Sequence, residues 1–217
     1  MSKRIRAQTL VFQGSGLGLE TRLNAAAPPR LILASTSRYR RELLARLRTP
    51  FECVSPGVVE SHLPGESPSM LAVRLARLKA EAVAARHPGA LVVGSDQVAV
   101  RGDDVLGKPG SVERCIAQLR ASSGHAVEFL TAVHVVLGVH TESHVDRTVV
   151  RFRTLTDAEI ARYVELEQPL DCAGGFKAEA LGISLFEAIE SADPTGLTGL
   201  PLAWLSGALR RAAIPVP

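Results

Sequence analysis

Three carboxylates carry the chemistry that this sequence offers: Glu60, Asp96 and Glu179, each predicted on a loop that follows a strand. Against them stand Arg40, Arg41, Lys79 and Lys108. Carboxylates facing cations across a phosphate-sized gap suit hydrolysis of a phosphoanhydride assisted by a divalent metal. The acids hold the ion and orient water, and the cations neutralise charge as it develops. Taken singly, Glu60 and Lys79 read as ordinary surface ions, so the argument rests on the set. No nucleophile constellation competes, since neither G-x-S-x-G nor S-x-x-K occurs. The six histidines are scattered, and none has a ligand partner at i+4 on a helix. His134 falls inside an apolar strand and reads as a core or pocket residue. His125 and His144 read as surface residues.

A second feature is the run Leu31-Ile32-Leu33-Ala34-Ser35-Thr36-Ser37-Arg38-Tyr39-Arg40-Arg41. Four apolar residues form a short buried strand, hydroxyl residues follow, and Leu43, Leu44 and Leu47 begin a helix. Ser35 or Ser37 caps that helix, and its free N–H groups make an anion site. Arg40 and Arg41 lie in its first turn, where the helix dipole disfavours cations and a bound polyanion would relieve them. Gly102 to Lys108 spells G-x-x-x-x-G-K, yet Pro109 replaces the Ser/Thr of a P-loop and no helix begins there. Lys108 remains a partner for phosphate or carboxylate.

These residues need a scaffold of alternating elements. Phe51–Ser55 reads as a strand, followed by a polar loop with Glu60 and His62. Ser67-Pro68 starts a helix with Leu71, Leu75, Leu78 and Ala82 on one face. Leu91–Val93 is a buried strand that ends in Gly94-Ser95-Asp96-Gln97, the place where open α/β sheets put ligand-binding groups. Val98–Val100 continues extended, and Gly102-Asp103-Asp104 makes a hairpin. Ser111–Ser122 is helical. Ala126–Val139 and Val145–Leu155 are strands joined by a turn over Gly138–Ser143. Thr156-Asp157-Ala158-Glu159 is a capping box for a helix that reaches Leu166. Ile183–Ile189 is a strand or hairpin arm, Asp193-Pro194-Thr195-Gly196 a turn, and Pro201–Ala213 a closing helix. The expected fold is α/β: one domain with a mixed twisted sheet flanked by helices and a central cleft.

Composition narrows the class. A hydrophobic fraction of 46% supports a sizeable core, and no apolar run reaches the length of a transmembrane helix. The net charge of +3 is misleading, because residues 1–30 carry +4 and the rest −1. The basicity belongs to the N-terminal stretch, which argues against nucleic acid as a partner. Cys53, Cys115 and Cys172 follow no C-x-x-C spacing, which fits a reducing compartment and no structural zinc. Residues 1–29, with spaced glycines and an Ala-Pro run, read as a disordered leader before a domain over 30–217.

Six motifs then occur in order: Leu-Ala-Ser-Thr-Ser-x-x-Arg-Arg-x-x-Leu at 33–44, Arg-Leu-Ala-x-x-Lys-Ala at 74–80, Gly-Ser-Asp-Gln-Val at 94–98, Gly-Lys-Pro at 107–109, Ala-Gly-x-Phe-Lys-x-Glu at 173–179 and Gly-Leu-Pro-Leu at 199–202. On these the chain resembles the Maf-type nucleotide pyrophosphatases, with a Maf/ITPase-like fold. Gln97, Phe176-Lys177 and Glu179 are similar to the branch acting on 7-methyl-GTP. The alternatives are the dTTP/UTP branch, a broad modified-nucleotide hydrolase, or a nucleotide-binding regulator without catalysis. The resemblance implies that Asp96 is the proton acceptor and that Tyr39, Gln97 and Glu179 set specificity. It implies that Ser35, Ser37, Arg40, Lys79 and Lys108 line the triphosphate cleft, and that Glu60 and Asp96 lie at a divalent metal cation (Mg²⁺, Mn²⁺ or Co²⁺). It also implies a cytoplasmic enzyme that often forms a homodimer. The chain departs from the family with Arg38 in place of Pro, Tyr39 in place of Trp, and Val59 and Leu78 in place of acids. The branch has a physical rationale. Methylation at N7 makes guanine cationic, which favours an aromatic partner such as Tyr39 and a carboxylate such as Glu179. Gln97 is expected to donate to a base oxygen.

Overall fold

A computed structural model describes residues 27–217. The leader expected over 1–29 therefore lies almost wholly outside the described residues. The elements run β1 (Leu31–Leu33), α1 (Arg38–Ala45), β2 (Glu52–Cys53), α2 (Pro68–Ala84), β3 (Leu91–Arg101), β4 (Asp104–Leu106), α3 (Val112–Ser122), β5 (Ala126–Leu137), β6 (His140–Phe152), α4 (Asp157–Glu167), β7 (Phe186–Ser191) and α5 (Leu202–Arg211). All seven strands form one sheet in the order β2-β1-β3-β5-β6-β7, with β4 also on β3. The pairs β2–β1 and β1–β3 are parallel and the others antiparallel. This is the mixed, helix-flanked sheet expected.

Polar caps start α1 to α4, three of them as the sequence predicts. Ser37, Ser67 and Thr156, and also Ser111, for which no cap is expected, each accept from a backbone N–H one turn on; Thr156 and Glu159 close a full capping box, and α5 follows Pro201 without a side-chain cap. The core lies on both faces of the sheet. On one face Leu33, Leu44, Leu91 and Leu205 form one cluster, and Phe129, Phe152, Ile160 and Phe176 a second towards α3 and α4; on the other face α2 packs against Val92, Val98 and Ala132. Phe176 meets Phe129, Phe152 and Phe186 edge to face at 5.3, 5.6 and 4.8 Å.

Four expectations change. Asp96 and Gln97 lie within β3, not on a loop after it, because β5 pairs with that strand from Leu91 to Val100 without a break. The buried stripe of α2 is Leu71, Ala72, Leu75, Ala76, Lys79, Ala80 and Val83, and Leu78 turns outward. β6 begins at His140, because Thr141, Glu142 and Ser143 pair with Val136, Val135 and His134 and leave only Gly138 and Val139 in the turn. Residues 183–185 belong to a 3-10 turn over Leu181–Leu185, and β7 starts only where Phe186 meets Phe152. Among the histidines, His134 is buried with Nδ1 2.6 Å from Ser143 Oγ. His125 is exposed as expected, whereas His144 is half-buried and stacks on Trp204 at 5.2 Å.

Candidate active site

The site arises from a gap in the sheet. On one edge of β3, Leu91–Val93 pair with β1, and Ala99–Arg101 pair with β4. Between them the edge from Gly94 to Val98 is open. β1 ends there, Ala34 N–H donating to Val93 O at 2.8 Å, and the chain turns away into α1. The gap does the work of a strand end in an open α/β sheet: two neighbours part and leave a crevice.

Side chains alternate across β3. Gly94 and Asp96 face α2. A Cβ on Gly94 would stand 2.3 Å from Ala76 O, so glycine is what lets α2 lie against the strand. That approach brings Lys79 to Asp96, Nζ to Oδ1 at 2.6 Å, and the same ammonium reaches Glu60 Oε1 at 2.7 Å. Lys79 is 5% exposed and Asp96 7%, which corrects the reading of Lys79 as a surface ion. Glu60 does remain exposed. Burial raises the Asp96 carboxyl above the usual aspartate range, although Lys79 and Arg40 pull it down.

Ser95 and Gln97 face the other side, towards the Asp193–Leu200 turn. Ser95 Oγ lies 2.9 Å from Ala132 O and 3.0 Å from Gly199 O. Gly199 O also accepts from Arg40 Nε at 2.9 Å, which fixes the guanidinium in the cleft. Burial lowers the Arg40 pKa, and the charges of Asp96 and Glu60 oppose that fall. Gln97 Nε2 lies 2.9, 3.0 and 2.9 Å from Thr131 Oγ1, Gly196 O and Leu197 O, three acceptors that share its two hydrogens. Its nitrogen is thus committed inside the protein, which does not leave it for the expected donation to a base oxygen.

At the start of α1, Ser35 Oγ accepts from Ser37 N–H at 3.1 Å and Ser37 Oγ from Arg40 N–H at 3.4 Å. The first two helical N–H groups, of Arg38 and Tyr39, are left for a ligand. The Arg38 guanidinium lies 4.7 Å from the Tyr39 ring centroid and donates to its hydroxyl at 2.6 Å. Cys172 Sγ sits 3.5 Å from the same hydroxyl. Burial pushes Tyr39 up to about 12 and Cys172 up to about 11, so both are neutral at physiological pH. Phe176 anchors the segment that carries Cys172 and Glu179 over the cleft. Glu179 therefore follows α4, not a strand as expected.

The cleft measures about 680 Å³, within the range of small-ligand sites. Ser35, Ser37, Tyr39, Arg40, Glu60, Lys79, Asp96, Gln97, Lys108 and Glu179 all line it, and Arg41 does not. Sequence reasoning missed Thr131, which is buried beneath Gln97, and the backbone oxygen of Gly199. Strand register finds the first, since Thr131 stands opposite Gln97 on β5. The second opens the Gly-Leu-Pro-Leu motif at 199–202, which by itself assigns it no contact.

Known proteins give an independent comparison. A family model described as "Maf-like protein" matches residues 30–212. A 7-methyl-GTP pyrophosphatase of Bordetella parapertussis is 58% identical over 186 residues, covering 86% of this chain and 94% of that one. One of Xanthomonas axonopodis pv. citri is 56% identical over 190 residues, covering 87% and 100%. One of Thiobacillus denitrificans is 54% identical over 191 residues, covering 87% and 94%. With the six motifs in order and a family match along nearly the whole described chain, this protein belongs to the Maf-like family.

Proposed function

We propose that the cleft hydrolyses 7-methyl-GTP to 7-methyl-GMP and diphosphate. The observation that carries this reading is the buried Asp96, held by Lys79 at 2.6 Å in the gap of β3 and sharing one cleft with Tyr39, Gln97 and Glu179. The names of the relatives point the same way. Arg40, Lys108 and the α1 N-terminus hold the triphosphate. Tyr39 and Glu179 receive the cationic base.

Lys79 engages Asp96 Oδ1, which leaves Oδ2 open to the water and to an ion. Water attacks the α-phosphorus as Asp96 takes its proton. The bond from that phosphorus to the α–β bridging oxygen breaks, and diphosphate leaves with the oxygen. Lys79 and Arg40 stabilise the charge that builds on the phosphoryl oxygens.

The donor set bears on the metal. No group of three or more His, Cys, Asp or Glu fit to hold an ion occurs among the described residues. Glu60 and Asp96 share the Lys79 ammonium, so two carboxylates stand side by side. That pair suits a magnesium-type ion whose other ligands are substrate phosphates and water. Held by Glu60 and Asp96, Mg²⁺, Mn²⁺ or Co²⁺ would neutralise the triphosphate and polarise its α-phosphoryl group. The reading carries a cytoplasmic setting, in keeping with three free thiols, and assembly as a homodimer.

The test is a nucleotide panel with each of the three ions and detection of diphosphate. Fastest release from 7-methyl-GTP supports the proposal. Preference for dTTP or UTP overturns the base assignment, and binding without release overturns the enzyme.

A further inference from the structure

Gln97 is a specificity position whose chemistry depends on which end of its amide faces the ligand. Two of its three partners, Gly196 O and Leu197 O, are backbone carbonyls that only accept, so the nitrogen must face them. The third partner decides how firmly. Thr131 Oγ1 donates to Gly196 O at 2.8 Å and accepts from Gln97 Nε2 at 2.9 Å. The hydroxyl of this one residue, itself 1% exposed, therefore ties the loop carbonyl and the amide to β5 together. Among the described residues nothing donates to Gln97 Oε1. The buried side-chain polar atoms without a partner are Gln118 Oε1, Ser122 Oγ and His134 Nε2, so Gln97 Oε1 is reached by solvent.

We infer that Thr131 is a positioning residue that locks Gln97 with its carbonyl towards the ligand and makes the base subsite an acceptor surface. Gln97 and Glu179 line the same cleft, and a Gln carbonyl oxygen and a carboxylate both accept. An edge that offers adjacent donors fits them. Guanine carries N1–H beside its N2 amino group. Uracil sets a single N–H between two carbonyl oxygens, and those oxygens would face lone pairs. A neutral amide thus discriminates by its orientation, independently of the base's charge.

The inference rests on the nucleotide reading above, and its test has one arm that needs no turnover. In ligand-free protein, the Gln97 side-chain amide protons should exchange slowly with solvent by ¹⁵N-resolved NMR. They should stay slow in Thr131→Ser and become fast in Thr131→Val. In turnover, kcat/KM for 7-methyl-GTP relative to UTP should fall about tenfold in Thr131→Val, roughly the effect of one hydrogen bond, mainly through KM. Thr131→Ser should restore it. Slow exchange and an unchanged ratio in Thr131→Val overturn the inference, as does an equal loss for both nucleotides. Should Thr131→Val fail to fold, fast exchange in the wild type overturns it alone. A wild type with a slow amide but no hydrolysis of any nucleotide sinks the proposed function and leaves the lock standing.

Discussion

At the end of the cleft proposed to hold the phosphates, Ser35, Lys79 and Asp96 are at most 7% exposed and sit just past β1, on α2 and within β3. At the end proposed to hold the base, Arg38 and Glu179 are exposed, and Glu179 rides on a turn. The first region is fixed by the sheet: Gly94 admits α2, the gap between β1 and β4 admits solvent, and Lys79 meets Asp96 as a result. The second region is held by a few anchors, chiefly Phe176 in the core and Thr131 beneath Gln97. The contrast suits the two tasks. Proton transfer and charge stabilisation need groups that do not reorganise, whereas choice among bases is a matter of a few contacts.

The comparison breaks first at Asp96. Asp96→Asn should cut turnover by about a hundred- to ten-thousandfold, the usual cost of a general base, with circular dichroism unchanged. Near-wild-type turnover would remove Asp96 from the chemistry. Lys79→Met should lower kcat by roughly a hundredfold, as loss of one positioned donor does. It also carries a pH signature. Wild-type kcat/KM should fall as pH drops through the raised Asp96 value, at a higher pH than an exposed aspartate would give. Because Lys79 holds that value down, its removal should move the acid limb higher still. A limb that stays put would separate Lys79 from Asp96.

At the base end the effects should be smaller and fall on selectivity. Glu179→Gln should reduce the preference for 7-methyl-GTP over GTP by about tenfold, since a neutral amide loses the attraction to the cationic ring. An unchanged nucleotide panel would remove Glu179 from base recognition. The smallest effect should come from Arg38. Its guanidinium already lies over the Tyr39 ring, for which a cationic base would have to compete. Arg38→Ala should therefore tighten 7-methyl-GTP about two- to fivefold, the value of an exposed cation–π contact. Weaker binding in titration calorimetry would mean that Arg38 grips the substrate instead.

Much of this was legible before any coordinates. Caps and periodicity located the helices, because a Ser or Thr ahead of an apolar stripe satisfies local N–H groups whatever the rest of the chain does. The mixed sheet followed from the alternation of elements. What stayed hidden depends on partners far along the chain. The continuity of β3 through Asp96 and Gln97 is imposed by β5, some thirty residues on. Lys79 looked like a surface ion because only Gly94 brings its helix against the strand. The orientation of Gln97 is set by Gly196, Leu197 and Thr131, which no local pattern joins to it.

Hydrolysis of 7-methyl-GTP in ¹⁸O-labelled water with Mg²⁺, followed by mass spectrometry of both products, tests the centre of the account. Attack at the α-phosphorus beside Asp96 predicts one ¹⁸O in 7-methyl-GMP and none in diphosphate, with the labelled product almost lost in Asp96→Asn. Label in the diphosphate, or an undiminished rate of labelled 7-methyl-GMP formation by Asp96→Asn, would contradict it.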